Sequence, residues 1–370
     1  MKKSLIAIAA LAAVGAASAQ SSVTLYGLAD TGLAYKTEKT KVDGVTANKH
    51  STFGATTGTL NGSRLGVKGA EDLGNGLKAT FNYELGFNSA NGNFDTNGEA
   101  TSGFGRKATV GLAGNFGHVR IGRDNTVVDN LVTATSADAQ STVDTAGRAY
   151  GRTTDMVTDR ANGVHYDGNF SGVAVSAFVA PSGANTQGDT FYEKTKTVGT
   201  SVEEKERNLG YGLSVGYANG PLTAGVAAQQ FTSKESSAGV TDKKYSQTQA
   251  AVGGAYDFNV AKVYANYIYN RDKTTVAGTT VKGVKHNEAN VGVTVPFGAA
   301  SFVAEYGYNY DKSDNAKALR SHDVTLGANY AFSKRTDVYA RAAYQGLLKA
   351  SGSGQSGNAQ TYAVGLRHRF

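Results

Sequence analysis

The chain contains no cysteine, no tryptophan and only three prolines among its 370 residues. The lack of cysteine excludes a disulfide framework and any Cys–His zinc cluster. After the first twenty positions no run of about 18 apolar residues occurs, so the sequence predicts no transmembrane helix. These absences leave all-β architectures, soluble or membrane-bound, as the classes to distinguish.

The N-terminus has the pattern of a secretory signal peptide. Lys2 and Lys3 precede an apolar run of ten residues, and Ala17-Ser18-Ala19 forms a small-residue cleavage site. That run is too short to cross a hydrocarbon core of ~30 Å as a helix. We therefore predict a signal peptide at residues 1–19, cleaved after Ala19, and a mature domain at 20–370.

Glycine and tyrosine are abundant, with 47 and 20 copies, and the formal net charge is +7. Removing Lys2 and Lys3 with the signal peptide leaves +5. Such a mild basic excess gives no reason to expect a nucleic acid as partner.

Alternation with a period of two is the dominant pattern. In "NLGYGLSVGY", residues 208–217, leucine, tyrosine and valine alternate with glycine, asparagine and serine. The same alternation recurs along the C-terminal half and predicts strands with one apolar and one polar face. Sixteen such strands are predicted, although fourteen or eighteen remain compatible with boundaries good to a few residues: 22–36, 60–70, 77–88, 103–114, 117–124, 158–168, 171–180, 207–218, 221–232, 245–257, 260–271, 286–297, 299–310, 321–332, 336–347 and 359–370.

The connections between these strands alternate in length. Turns of two to four residues alternate with long polar connections, which we interpret as loops: 37–58, 89–102, 181–206, 234–244, 272–285, 311–320 and 349–358. Short turns at one end and long loops at the other are typical of transmembrane barrels. Tyrosines near the strand ends favour a lipid boundary over a soluble sandwich. The predicted fold is an all-β, transmembrane antiparallel β-barrel of about 16 strands.

The last strand, 359–370, alternates up to its final residue, Phe370. We predict that it pairs with the first strand, 22–36, and closes the barrel, because a bilayer tolerates no open sheet edge.

Four stretches resemble the general trimeric porins of Gram-negative outer membranes, particularly their β-proteobacterial branch. They are "SSVTLYGLADTGLAY", "SRLGVKGAEDLGNGLKATFNYELGF", "FGRKATVGLAGNFGHVRIGRD" and "AVGLRHRF". The resemblance implies a homotrimer in the outer membrane, in contact with lipid and lipopolysaccharide, that passes small anions and hydrophilic solutes by diffusion. Phe370 also resembles the terminal signal read by the outer-membrane barrel assembly machinery.

The long interval at 124–158 shows no apolar alternation. A structureless segment of this length usually has a function. In the family, the third external loop folds into the lumen and narrows it, so the resemblance implies a constriction loop here. The segment lacks the Pro-Glu-Phe-Gly tip of many enterobacterial members, and Asp138 and Asp144 are the acids nearest its tip.

Opposite this loop the family places basic side chains on the barrel wall. Arg64, Arg106 and Arg160 match in motif context, and Lys68 shares the face of Arg64. An arginine on the lipid face would cost ~2–4 kcal/mol at the midplane, which favours the lumen. Arg123 alternates with the outward residues and is a candidate subunit contact.

Two other functional classes remain to be compared. An outer-membrane barrel enzyme would need a nucleophile and a base within reach, but the six histidines are scattered and no Gly-x-Ser-x-Gly occurs. A substrate-specific channel for sugars or organic anions, or an adhesin, would show a tract of lumen aromatics, for which only Tyr264 and Tyr339 are candidates. We therefore predict a weakly anion-selective diffusion channel, without enzymatic activity, cofactor or metal.

Overall fold

A computed structural model describes residues 22–42, 45–94, 103–138, 159–181, 192–196, 203–237, 240–312, 318–348 and 355–370. The predicted signal peptide and Asp144 lie outside these ranges. One helix and eighteen strand segments are described: β1 Ser22–Val42, β2 Val45–Thr57, β3 Arg64–Gly74, β4 Leu77–Gly86, β5 Lys107–Gly114, β6 Gly117–Asn125, α1 Val127–Thr135, β7 Arg160–Phe170, β8 Val173–Ala180, β9 Tyr192–Lys196, β10 Glu203–Asn219, β11 Leu222–Ser237, β12 Val240–Asp257, β13 Lys262–Val276, β14 Thr279–Phe297, β15 Ala300–Lys312, β16 Leu319–Ala331, β17 Thr336–Leu348 and β18 Gln355–Arg369.

The segments form a closed antiparallel barrel of sixteen strands. β2 and β3 pair with successive parts of β1, and β9 and β8 with successive parts of β10, so each of these pairs occupies one barrel position. β1 also pairs with β18 from Leu28↔Arg369 to Val42↔Gln355, which closes the sheet. The predicted fold class and the predicted pairing of first and last strands are confirmed.

The barrel presents its apolar face outward. On the outside, Leu213 of β10 and Val226 of β11 are 54% and 55% exposed. The inward neighbours Asn208 and Gln229 are only 5% and 3% exposed. Because exposed apolar residues cover the outside of every long hairpin, the solvent of this surface is lipid rather than water. No helix in the described ranges combines the length and the hydropathy needed to cross a bilayer.

Several segments that were interpreted as loops are strands. β1 and β2 extend through most of 37–58, and the hairpins β11–β12 and β13–β14 extend through most of 234–244 and 272–285. The loop interpretation was wrong there because polar, charged residues on both faces hide the alternation once a hairpin projects beyond lipid. At the opposite end of the barrel, the predicted short turns near residues 220, 258, 298 and 333 are observed.

Helix α1 lies inside the barrel, where the sequence gave no sign of regular structure. Val127, Val128 and Val132 are buried against the inward residues Phe178, Phe231 and Ile268 of β8, β11 and β13. Each buried valine contributes roughly 1.5–3 kcal/mol, which fixes the start of the 124–158 segment on the barrel wall.

Glycines on the inner wall make this close approach possible. A Cβ added at Gly212 would lie 2.9 Å from Val127 Cγ2, and one at Gly292 would lie 2.8 Å from Ala137 Cβ. Gly225 and Gly253 lie in the same way beneath Leu131 and Thr135. We call Gly212, Gly225, Gly253 and Gly292 the glycine track.

Phe370 lies across the seam of the barrel. Its backbone exchanges two hydrogen bonds with Gly27 at 3.0 and 3.1 Å, and its ring occupies the space where a Cβ of Gly27 would lie. Phe370→Asp should lower the yield of folded, heat-modifiable barrel in the membrane, because it removes this ring and places a charge beside lipid. The matched control is Phe332→Asp, an exposed aromatic at the same end of the barrel. Equal losses for both variants would contradict a special role for Phe370.

Candidate functional site

The lumen carries a basic cluster on β3, β5 and the residues beside them. Arg106 Nε donates to Glu84 Oε1 at 2.7 Å, and Arg64 Nη1 lies 3.9 Å from the same oxygen. The second carboxylate oxygen of Glu84 accepts from the Tyr26 hydroxyl at 2.9 Å. One buried acid therefore holds two arginines on the wall, and the pair of cations exceeds it by one charge.

Arg160 lies beside this cluster. Its Nη1 donates to Asp159 at 2.7 Å, and its residue is 9% exposed. The charges of Arg106 and Arg160 act on Arg64, and that of Arg160 acts on Arg106. The structure thus brings Arg64, Arg106 and Arg160 together, although they come from three separate parts of the chain.

Lys68 lies on the face of Arg64 but four residues further along β3, or ~13 Å at ~3.3 Å per residue. Its ammonium group lies 5.1 Å from the centre of the Tyr26 ring. Lys68 lines a cavity on the short-turn side together with Lys107 and Arg120. It is therefore placed below the three arginines rather than among them.

Strand alternation was a poor guide to Arg106. The residue precedes β5, which begins at Lys107, so the inward position on the strand belongs to Lys107. Lys107 Nζ donates to Asp124 at 2.6 Å, and Arg120 donates to Asp124 and Asp167 at 2.9 and 2.5 Å. Sequence reasoning missed Lys107 and Arg120, although each alternates with the outward residues of its own strand.

An inward bulge at residues 58–63 separates β2 from β3 and carries the arginine cluster. Arg64 Nε donates to Gly62 O at 3.1 Å. A Cβ at Gly62 would lie 3.1 Å from Arg106 Nη1, so the absence of a side chain leaves room for that arginine. Asp30, which is fully buried, accepts from Leu60 N and Asn61 N at 2.8 Å each and from the Tyr339 hydroxyl at 2.5 Å.

Asp30→Asn should therefore reduce ion selectivity without preventing barrel assembly. An amide has a single acceptor oxygen, so it cannot serve both the backbone donors of the bulge and the tyrosine, and Arg64 would lose its fixed position. Reversal potentials in a salt gradient, measured on purified protein, test this expectation. Tyr339→Phe is the control, because it leaves both backbone bonds to Asp30 intact. An equal shift for Tyr339→Phe would contradict the role of the bulge.

The segment that follows α1 is fixed to the opposite wall. Arg341 Nε and Nη2 donate to the two carboxylate oxygens of Asp138 at 3.0 Å each. Glu305 Oε2 accepts from the backbone N–H groups of Ala137 and Asp138 at 2.7 and 2.9 Å. Asn266 donates to Thr135 O at 3.0 Å and to Ser136 Oγ at 2.7 Å. These contacts hold Asp138 inside the lumen with its charge paired.

Arg123 lies on the outward side of β6, paired with Ala108 and Asn162. Its Nε donates to Gly105 O at 2.5 Å, and its Nη1 donates to Asn162 Oδ1 at 3.1 Å. It is therefore separate from the arginine cluster in the lumen.

The two candidate lumen aromatics do not form a tract for sugar stacking. Tyr339 is 4% exposed and bonded to Asp30, while Tyr264 faces a cavity that Arg341 and Arg367 also line. In the parts of the chain that the structure describes, no group of three metal-ligating side chains is present. What these residues provide is a narrowed aqueous passage with excess positive charge on one wall.

A closed barrel with a lipid-facing exterior, a polar lumen and a segment packed inside it defines a transmembrane diffusion channel. The sequence model of the Gram-negative porin family matches residues 5–347. The chain belongs to this family and is an outer-membrane porin, as the resemblance implied.

Curated relatives agree with this assignment. Outer membrane porin protein 32 of Delftia acidovorans is 36% identical and covers 100% of both chains. An outer membrane porin protein of Bordetella pertussis is 34% identical over 74% of this chain and 70% of its own length. These relatives confirm the β-proteobacterial branch and the location in a Gram-negative outer membrane. They are channels rather than enzymes.

Solved structures have the same fold. The anion-selective porin from Comamonas acidovorans is 27% identical, with a TM-score of 0.69 over 95% of this chain and 100% of its own. The outer membrane channel DcaP of Acinetobacter baumannii has a TM-score of 0.65 over 95% and 98% of the two chains. At 16% identity, DcaP supports the fold alone.

Proposed function

We propose that this porin is weakly selective for small anions. The observation that carries the proposal is the imbalance of charge at the wall: Arg64, Arg106 and Arg160 surround the single buried acid Glu84. On the other side, Asp138 is already neutralised by Arg341. Low-dielectric walls concentrate the field of the unbalanced cations on the passage. The similarity to an anion-selective porin supports the same preference.

We further propose that residues 124–158 form the constriction loop. The burial of α1 against the wall and the fixed position of Asp138 support this role for its first part. Asp144 stays a candidate for the loop tip. Lys68 would act before the constriction, by raising the local concentration of anions on the short-turn side.

A homotrimer is the proposed assembly, since one of the matched solved porins is described as a trimer form. Arg123 is the proposed subunit contact, because it lies on the outer surface and orients through Gly105 and Asn162 instead of facing the lumen. Contacts with outer-membrane lipid, lipopolysaccharide and the barrel assembly machinery are part of the same proposal.

Planar-bilayer recordings of the purified protein in a potassium chloride gradient test the selectivity. The reversal potential should correspond to a modest preference for chloride, and the preference should fall as salt rises, because screening shortens the reach of the wall charges to about 10 Å at 0.1 M. A preference for potassium would contradict the proposal. Chloride preference that is independent of salt would show that fixed charge is not its cause.

A further inference from the structure

Two rows of cations lie on the outside of the barrel at its long-loop end. Along β10, β11 and β12, the registers place Arg207 opposite Lys234 and Lys234 opposite Lys244. Along β13, β14 and β15, Arg271 lies opposite Lys285 and Lys285 opposite Lys312. Each residue alternates with the outward apolar positions of its own strand. We call these six residues the basic arc.

Opposed like charges are unfavourable in a sheet, because directly paired Cβ atoms lie only ~4.5–5.5 Å apart. The remaining register partners are no acids: Lys244 and Arg271 lie opposite Thr275 and Thr248. Asp242 shares the outward side of β12 with Lys244 but lies two residues further from the apolar band. Nε of Arg271 has no hydrogen-bond partner within the described ranges. This arrangement calls for anions from outside the chain.

The basic arc lies at the edge of the apolar band. Arg207 is two residues from Leu209, and Lys285 Nζ lies 5.5 Å from the centre of the Tyr269 ring. Arg320, on the next strand, lies 5.7 Å from the Tyr310 ring. Just below the arc, the Tyr267 hydroxyl donates to Asn287 at 2.8 Å. Aromatic rings with bonded hydroxyls mark the boundary between hydrocarbon and headgroups, so the cations lie at headgroup level.

We propose that the basic arc binds the phosphate groups of lipopolysaccharide in the outer leaflet. The inference rests on the outer-membrane location and on long loops facing outward, as in barrels of this class. Its cations face sideways into the headgroup layer, where a phosphorylated glycolipid presents anions at their level. A second copy of the chain fits poorly, because two basic arcs would repel each other.

The arc would act where divalent cations otherwise act, by neutralising phosphates of adjacent lipids. Six cations over six neighbouring strands, spaced ~4.8 Å apart, cover ~25 Å of the barrel circumference, enough for more than one headgroup. Lysine suits this role as a point charge on a flexible chain, and Arg207 and Arg271 add planar donors that bind phosphate in two-point fashion.

The test measures retention of lipid by purified protein in detergent. Wild type is compared with Lys234→Gln/Lys244→Gln, Lys285→Gln/Lys312→Gln and the quadruple variant. The probes are bisphosphorylated lipid A, dephosphorylated lipid A and phosphatidylglycerol. Near a membrane surface each cation changes affinity by roughly fivefold, so each double variant should lose at least about tenfold in affinity for bisphosphorylated lipid A, and the quadruple variant more.

The matched control is Lys334→Gln/Arg335→Gln, which removes two exposed cations at the short-turn end. It should retain lipid A like wild type. Unchanged retention by the quadruple variant, equal retention of dephosphorylated lipid A, or tighter binding of phosphatidylglycerol would each overturn the proposal. Conductance and reversal potential in phospholipid bilayers should be unchanged in all variants, so failure of the basic arc is distinguishable from failure of the proposed anion selectivity.

Discussion

Replacing Arg64 and Arg106 together by serine should shift the reversal potential toward cation selectivity and raise conductance. The change removes two positive charges and leaves Glu84 buried beside the passage without its arginine partners. At ~5 Å in water a unit charge contributes ~0.8 kcal/mol, so the pair corresponds to a change in permeability ratio of roughly tenfold. Loss of two long side chains also widens the passage. Zero-current potentials and single-channel currents measure both effects.

Arg123→Ser is the matched control for this prediction. It removes the same side chain from the outward surface of β6, where it contacts Gly105 and Asn162. Its reversal potential should equal that of wild type. If Arg123→Ser shifts the potential and the double variant does not, the assignment of the selective charges to the inner wall is wrong.

Arg341→Met should release the segment that follows α1. The side chains of Arg341 and Asp138 are 2% and 8% exposed, so the substitution leaves a nearly buried carboxylate without its two-point partner. Breaking such a pair typically costs about 3–5 kcal/mol. The barrel ladder is untouched, so the loss should be local: frequent current fluctuations in single channels, and faster proteolytic cleavage within 124–158.

A second substitution separates charge from geometry. Asp138→Asn in the Arg341→Met background removes the uncompensated charge and should restore part of the quiet current, whereas Glu305 still holds the backbone of Ala137 and Asp138. Fluctuations as strong in the double variant as in Arg341→Met would show that the salt bridge does not position this segment.

The barrel was predictable because a strand that faces lipid on one side must alternate with a period of two. The sequence 208–217 of β10 shows the alternation without interruption, and the structure follows it. The signal disappears where lipid ends: the β1–β2 hairpin carries polar residues on both faces, so its strands were taken for a loop. Helix α1 was missed because nine residues packed on one side leave too short a pattern.

The candidate site was predictable where a residue type was costly anywhere else. Arg64 lies inside a strand with an apolar outer face, so only the lumen suits it. Arg341 met the same criterion but gave no hint of its partner, because its contact with Asp138 joins residues 203 positions apart. Asp30 looked like an ordinary strand polar residue, and only the bulge at 58–63 shows what it supports.

The glycine track has a consequence for how this passage can vary. Its four glycines lie behind the inserted segment, on β10, β11, β12 and β14, far from the arginines that face the solute. Adding a methyl group at Gly292 would displace the segment toward the axis and lower the largest solute that passes, with no change in charge. Size limit and ion preference therefore reside in separate residues of one barrel, and single substitutions can adapt the bacterium's uptake in either property while the other stays constant.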